Sequence, residues 1–214
     1  MLLVRTLALA ALSLCLLLGA RAGAQERIYG HLPYAEAPAD SLQTVCTGNS
    51  AKLHRDAVQP LRVMIEAARS DGVDLRAISC FRSVRYQRWL FCRHVCDPEG
   101  KVCGGGCEGR KQSEAERAQV SAPPGHSEHA TGYAVDFTDG RERRCDVEYC
   151  FAETEAGRWL QANATAFGFE LSFPENNSQG VSYEPWHWRF VGTPEAMAVF
   201  AIARRLFPAS PAVP

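Results

Sequence analysis

The sequence has no excess of charge of either sign. Lys and Arg number 23 against 24 Asp and Glu, a formal net charge of -1 over 214 residues. That balance removes the charge footprint of a nucleic-acid-binding chain, or of one held electrostatically on an anionic membrane, so partners must be argued from particular residues. A second long apolar run is also missing. The one such run, Leu7 to Leu18, lies near the start, and at about 12 residues it is short of the roughly 20 needed to span a bilayer. There are no internal repeats, which excludes solenoids and arrays.

What the first residues do carry is a leader pattern. Arg5 precedes the apolar run, and Ala22-Gly23-Ala24 follows it as a small-x-small cleavage signal. Residues 1–24 are therefore expected to be a signal peptide, leaving a secreted or periplasmic protein with no membrane anchor. Leu14-Cys15 is not read as a lipidation site, because a bulky Leu precedes the Cys inside the apolar run. The remaining stretch of about 190 residues suits one domain with a sizeable core.

Of nine cysteines, cleavage leaves eight: Cys46, Cys80, Cys92, Cys96, Cys103, Cys107, Cys145 and Cys150. An even count in an exported chain points to disulfides, without fixing their connectivity. Cys92-x3-Cys96 and Cys103-x3-Cys107 also have spacings that a four-sulfur structural zinc site allows; export favours disulfides, with Asp97 to Gly109 as a stapled surface loop. Cys145 and Cys150 are placed to close a small local loop.

Residues 25–48 have Pro33 and Pro38 and no sustained period, and read as an irregular arm. A helix is expected from about Asn49 to Ser70, bent or restarted at Pro60 and stopped at Gly72. Leu75 to Cys80 reads as a strand, and Ser83 as the N-cap of a helix to about Val95. Tyr133 to Phe137 alternates as a half-buried strand does, with Asp136 on the side of Ala134. Glu155 to Phe167 reads as a helix ending at Gly168, Phe169 to Phe173 and Trp186 to Val191 as strands, and Thr193-Pro194-Glu195 as the start of a last helix to about Phe207. The expected fold is a single α+β domain, residues 49–214, with a small antiparallel sheet flanked by helices.

Two segments carry chemistry. Ser127-Glu128-His129-Ala130-Thr131-Gly132-Tyr133-Ala134-Val135-Asp136 holds a His-x6-Asp pair, and Glu184-Pro185-Trp186-His187-Trp188-Arg189 holds a Glu-x2-His pair. Two imidazoles and a carboxylate with a spare glutamate are what a catalytic zinc site uses: three protein ligands, an open fourth position, and a general base beside it. Each of these residues alone reads as a turn cap, a strand end or a solvated carboxylate. In strand alternation His187 and Arg189 oppose Trp186 and Trp188, so His187 faces a cleft if the tryptophans pack into the core. Glu184 has the wrong parity to join His187 in a regular strand, and Pro185 supplies the break that frees it.

These segments resemble the VanY-type D-alanyl-D-alanine carboxypeptidase family, which shares its zinc fold with hedgehog signalling domains. Ser79-Cys80-Phe81-Arg82-Ser83, with Gln87 on the next helix, is similar to the family's Ser-Gly-Tyr-Arg-Ser segment. Pro124-Gly125-His126, Trp159-Leu160, Phe167-Gly168-Phe169 and Ser172-Phe173-Pro174 extend the likeness over about residues 53–192. The resemblance implies a zinc (Zn2+) metallopeptidase in which His129, Asp136 and His187 are the metal ligands, Glu184 is the general base and Arg82 anchors the substrate's terminal carboxylate. It gives Ser127 and Gln87 supporting roles at the substrate or behind a ligand, and it passes over His126. The implied substrate is the D-Ala-D-Ala end of peptidoglycan stem peptides, cut by a zinc-activated water; the protein is expected to be a monomer. L,D-carboxypeptidase or endopeptidase cleavage of the same stems, and a secreted zinc module without turnover, are the alternatives. Two departures stand out. Cys80 replaces a glycine, which suggests a disulfide fixing the strand beside Arg82, and residues 92–112 form a Cys-rich insertion placed to wall the substrate cleft.

Overall fold

The computed structural model describes residues 27–45 and 51–207; the leader, Cys46 and Asn49 fall outside them. Six strands and six α-helices are described. β1 (Leu42–Thr44) pairs antiparallel with β2 (Lys52–His54) as a two-stranded ribbon. The main sheet has four antiparallel strands in the order β3 (Leu75–Ser79), β4 (Ala134–Asp139), β6 (His187–Phe190), β5 (Phe169–Leu171).

The period-two alternation of the central strands assigns the faces. Val135 and Phe137 of β4, Trp188 and Phe190 of β6 and Phe169 of β5 join the main core, where they meet Ala57, Val58, Leu61, Met64 and Ala68 of α1 (Arg55–Ser70) and Ala156, Trp159 and Leu160 of α4 (Glu155–Asn163). Asp136, His187 and Arg189 share the other parity, so the helices and core hold one side of the sheet and the polar cluster the other. All six residues of β4 are buried, because both faces and both edges are covered.

Several expectations are corrected. The helix expected from Asn49 begins only at Arg55. Lys52–His54 is a strand instead, with Leu53 fully buried, the Lys52 carbonyl accepting from Phe81 N–H and the His54 N–H donating to the Gly132 carbonyl. Its partner Leu42–Thr44 gives the irregular arm a strand as well. Pro60 neither breaks nor restarts α1, which runs through it to Asp71 and the left-handed Gly72. α2 (Val84–Cys92), capped by Ser83, ends three residues early, because backbone bonds from Cys96 N–H to the Gln112 carbonyl and from Gln112 N–H to the His94 carbonyl draw the chain away. α4 gives way to a 3-10 turn, Ala164–Phe167, before Gly168. The strand from Phe169 stops at Leu171. The last helix is split at Phe200 into α5 (Pro194–Val199) and α6 (Ala201–Leu206), as Phe200 turns into the core beside Tyr34 and Tyr133.

One helix had not been expected. α3 (Glu114–Ala118) carries a reciprocal capping box between Ser113 and Glu116, a signal that Ser-x-x-Glu spells in the sequence.

Cys92 pairs with Cys103, Cys96 with Cys107 and Cys145 with Cys150, and Cys80 is also disulfide-bonded. The four sulfurs of the insertion thus form two disulfides and no metal site. The insertion packs Val95 and Val102 against Phe91 of α2 and Ala118 of α3 in a small core apart from the main one. Its loop is organised by the buried Asp97 carboxylate, which accepts from the N–H groups of Lys101, Val102 and Cys103.

Candidate active site

Antiparallel register sets Asp136 of β4 directly opposite His187 of β6. His129 comes from a single 3-10 turn, Glu128–Thr131, that ends at Gly132 with φ +73°. A Cβ there would lie 2.8 Å from the Leu42 side chain and 3.2 Å from the His54 nitrogen, so glycine is needed for space as well as conformation. Glu184 sits in the turn before β6, where its carbonyl accepts from His187 N–H at 3.0 Å and its own N–H donates to the Phe173 carbonyl at 3.1 Å. That turn is how a residue of the wrong strand parity reaches the same cleft as His187.

One ligand atom from each of His129, Asp136 and His187 lies within 4.8 Å of the others, and all three residues are buried. His129 Nε2 is 3.1 Å from Asp136 Oδ2, and His187 Nδ1 is 2.9 Å from Asp136 Oδ1. His129 Nδ1 is 2.6 Å from the Cys80 carbonyl oxygen. An oxygen that only accepts requires the proton on Nδ1, which leaves Nε2 as a bare lone pair. Nε2 is buried and makes no hydrogen bond, its approach to Asp136 bringing one electron-rich atom against another. Two imidazoles and one carboxylate around such an orphaned atom fit a divalent cation of the zinc type.

Electrostatics follow from burial. Burial lowers His129 to about 4 against the pull of Asp136, with the Arg82 charge acting in the same direction as burial. Burial alone would raise Asp136, but His129 and His187 hold it well below the ordinary carboxylate range. Burial alone would lower His187, but its hydrogen bonds to Asp136 and Glu128 outweigh that and push it up to about 10. Glu184 is pushed up to about 7 by burial, opposed by His187 and Arg82 and reinforced by Asp136 and Glu128.

These groups open into a cleft of roughly 360 Å³. Arg82, just past β3, lines it with its side chain 3.9 Å from Asp136 Oδ2 and a buried, unpartnered Nε. Trp188 lies in the core as alternation expects, whereas Trp186, half-buried, stands in the cleft wall. Gln87 and Ser127 do not line the cleft. The Gln87 amide donates to the Ala122 carbonyl at 2.5 Å and to Ser121 Oγ at 3.2 Å, tying α2 to the segment that leads to His129. Ser127 is buried at the start of the 3-10 turn, and its hydroxyl caps nothing. His126 turns to the Pro124 carbonyl, away from the cluster.

Three residues of the site carry no sequence signal of their own. Arg117 of α3 lines the cleft; its Nη2 donates to the Leu90 carbonyl at 3.4 Å, its Nε is buried without a partner, and the charges acting on it, Arg93 and Arg82, are both positive. Tyr149 reaches the rim from the short Cys145–Cys150 loop and stacks on Tyr183. Glu128 lies buried beneath the cluster, bonded to His187 and Arg189. The insertion itself lines none of the cleft. It packs behind α2 and α3, and it shapes the wall only through Leu90 and Arg117.

The profile of the VanY D-alanyl-D-alanine carboxypeptidase family matches residues 50–193. The chain belongs to this family. Among curated relatives of the VanY family, the D-alanyl-D-alanine carboxypeptidase of Enterococcus faecalis is 34% identical over 143 residues, which is 65% of this chain and 48% of that protein. The chain spans about half the length of the curated relatives it matches first. Among solved structures, the LdcB LD-carboxypeptidase superposes with a TM-score of 0.59 at 28% identity, covering 80% of this chain and 77% of its own. A VanY D,D-pentapeptidase mutant in complex with Zn(II) superposes with a TM-score of 0.55 at 27% identity, covering 81% and 94%. The α+β fold with its small antiparallel sheet is the one this chain shares with these solved structures.

Proposed function

We propose that this protein is a zinc carboxypeptidase that removes the terminal D-alanine from peptidoglycan stem peptides. The observation that carries the reading is the convergence of His129 Nε2, the Asp136 carboxylate and His187 Nδ1 beside Glu184, in a cleft that also holds Arg82. His129, Asp136 and His187 would hold the metal. Zinc bound there supplies Lewis-acid polarisation of the scissile carbonyl and acidifies the attacking water.

The chain's own groups do the rest. Glu184, poised near neutrality, takes the proton from that water and returns it to the departing amine. The Arg82 fork pairs with the substrate's C-terminal carboxylate, which selects a free chain end. Arg117 adds a second positive charge to the same cleft, and it forms no salt bridge among the described residues. Trp186 and Tyr149 give the rest of the peptide an apolar wall. Gln87 acts behind the site, tying α2 to the segment that leads to the metal-binding turn, and Ser127 enters that turn through its carbonyl, which accepts from Ala130 N–H. Three disulfides among the described residues support an oxidising, extracytoplasmic location, secreted or periplasmic, reached through the leader. No described helix is long and apolar enough to cross a membrane.

The likeness to the LdcB LD-carboxypeptidase favours one second reading, cleavage of the L,D bond one residue further in. One experiment separates them. The oxidised protein is incubated with and without zinc on a muropeptide pentapeptide ending in D-Ala-D-Ala and on the tetrapeptide, and released D-alanine is followed by mass spectrometry. Zinc-dependent release from the pentapeptide is the expected result, and release from the tetrapeptide alone would give the second reading. Release from neither, with zinc bound, would overturn the proposal.

A further inference from the structure

We propose that Glu128 is a positioning residue that fixes His187 as an Nδ1 ligand of the metal, an inference that rests on the metal reading of the site above. Glu128 directly precedes His129 and is almost fully buried. Its Oε1 accepts from Arg189 Nη1 at 2.7 Å and from the Tyr34 hydroxyl at 3.2 Å; its Oε2 accepts from Ser172 Oγ at 2.5 Å and from His187 Nε2 at 3.1 Å. A carboxylate offers about four lone-pair positions, and all four are filled. Glu128 therefore has no free lone pair with which to become a ligand itself, and its position is over-determined.

The consequence falls on His187. A carboxylate oxygen among three other donors can only accept, so the proton of this contact belongs to Nε2. The ring is then left to offer Nδ1, which already points at Asp136 Oδ1 from 2.9 Å, inside the cluster. His187 Nδ1 would hold a divalent cation there on giving up its proton. His129 is set by the same logic in the opposite sense, its Nδ1 pinned to the Cys80 carbonyl and its Nε2 presented. The two imidazoles thus face one point through different nitrogens, each with its tautomer fixed by an acceptor behind it.

The carboxylate is itself held from behind. Arg189 Nε pairs with Glu170 Oε1 at 2.8 Å, and Glu170 Oε2 lies 3.2 Å from Arg204 Nε on α6. This alternating chain runs from His187 to the C-terminal helix and keeps Glu128 from swinging toward the metal.

The test reads metal binding, independently of turnover. Long-range 1H–15N correlation spectra of the zinc-loaded wild-type protein report which imidazole nitrogen carries the proton and which the metal. His187 is expected to show protonated Nε2 and metal-bound Nδ1. Zinc affinity, measured by competition with a chromophoric chelator, is expected to fall about 10- to 100-fold in Glu128→Gln, the range for loss of such an outer partner. Metallated Nε2 in the wild-type spectrum would overturn the inference while leaving the metal reading intact, and the spectrum decides the matter even if the variant does not fold. A folded Glu128→Gln with zinc affinity within twofold of wild type would also overturn it. A wild-type protein that binds no zinc would overturn both the metal reading and the inference.

Discussion

A carboxyl buried beside Asp136 and Glu128 favours its protonated form, and Glu184 is held up to about 7 from an ordinary value of 4.5 for that reason. Its folded-state pKa is the higher one, so its contribution to stability is fully present below about pH 4.5 and is lost as pH rises through 7. Glutamine has no such dependence. In metal-free protein, Glu184→Gln should match wild type near pH 4.5 and exceed it above pH 7 by up to about 3 kcal/mol, at 1.36 kcal/mol per pK unit. Urea unfolding at several pH values checks this, and a difference that does not change with pH would refute the burial account. The same variant should keep zinc and lose about 10²- to 10⁴-fold in hydrolysis, the usual scale for a general base. Arg82 and Arg117 make the complementary case for binding. Arg82→Ala should cost about 10- to 100-fold in kcat/KM on a free-acid peptide, matching a charge-assisted bond of about 1.5–3 kcal/mol, and change little on the amidated peptide. Arg117→Ala should show the same contrast more weakly, since Arg82 lies 3.9 Å from Asp136 while Arg117 is held at the Leu90 carbonyl in the cleft wall, and equal losses on both peptides would remove either arginine from carboxylate recognition.

At the scale of elements, what was legible was what local chemistry decides. Ser83, Thr193 with Pro194, and the glycines after α1 and before β5 mark their boundaries through caps and left-handed turns, and β4 and β6 through alternation. Lys52–His54 reads as helix in the sequence because Leu53 to Leu61 fits a helical spacing, while the strand exists only through its pairing with Leu42–Thr44 and its bonds to Phe81 and Gly132. Phe200 breaks the last helix for a tertiary reason, its place beside Tyr34 and Tyr133, which no local pattern announces. The candidate ligands could be read because His-x6-Asp and Glu-x2-His are local spacings and the family resemblance aligned them. Glu128 and Arg117 could not, because their meaning lies in partners about 60 residues away in one case and in a tertiary setting beside Arg82 and Arg93 in the other. Gly168 tests the local side of this account. It closes the 3-10 turn at φ +79°, and an added Cβ would meet Gly192 Cα at 2.9 Å. Gly168→Ala should cost about 1–3 kcal/mol, the left-handed penalty plus the contact. For a domain of this size that is a fall of roughly 3–10 °C in Tm, and a change below 1 °C by calorimetry would show that the turn relaxes freely.

Across the whole molecule, the side of the sheet that builds the core is not the side that builds the site. Val135, Phe137, Trp188 and Phe190 face α1 and α4, while Asp136 and His187 face the cleft and Arg189, of the same parity, is buried on Glu128 and Glu170. Asp136 and His187 are set by strand pairing, His129 by its contact with Cys80, and none of these restraints needs a metal to form. The fold should therefore survive removal of zinc, unlike small domains whose only core is their metal. Zinc should act as a stabilising ligand of the folded state: at a free concentration 1,000 times its Kd it contributes about 4 kcal/mol. At roughly 2–4 °C per kcal/mol for a chain of this length, chelation should lower Tm by about 8–16 °C and leave the far-ultraviolet circular dichroism unchanged at 25 °C. Adding zinc back in steps should restore Tm along the binding curve, and His129→Ala should abolish the shift because it removes the orphaned Nε2. If chelation instead unfolds the protein at 25 °C, the repulsion among the converging ligands exceeds what the core and disulfides supply, and the metal is part of the fold.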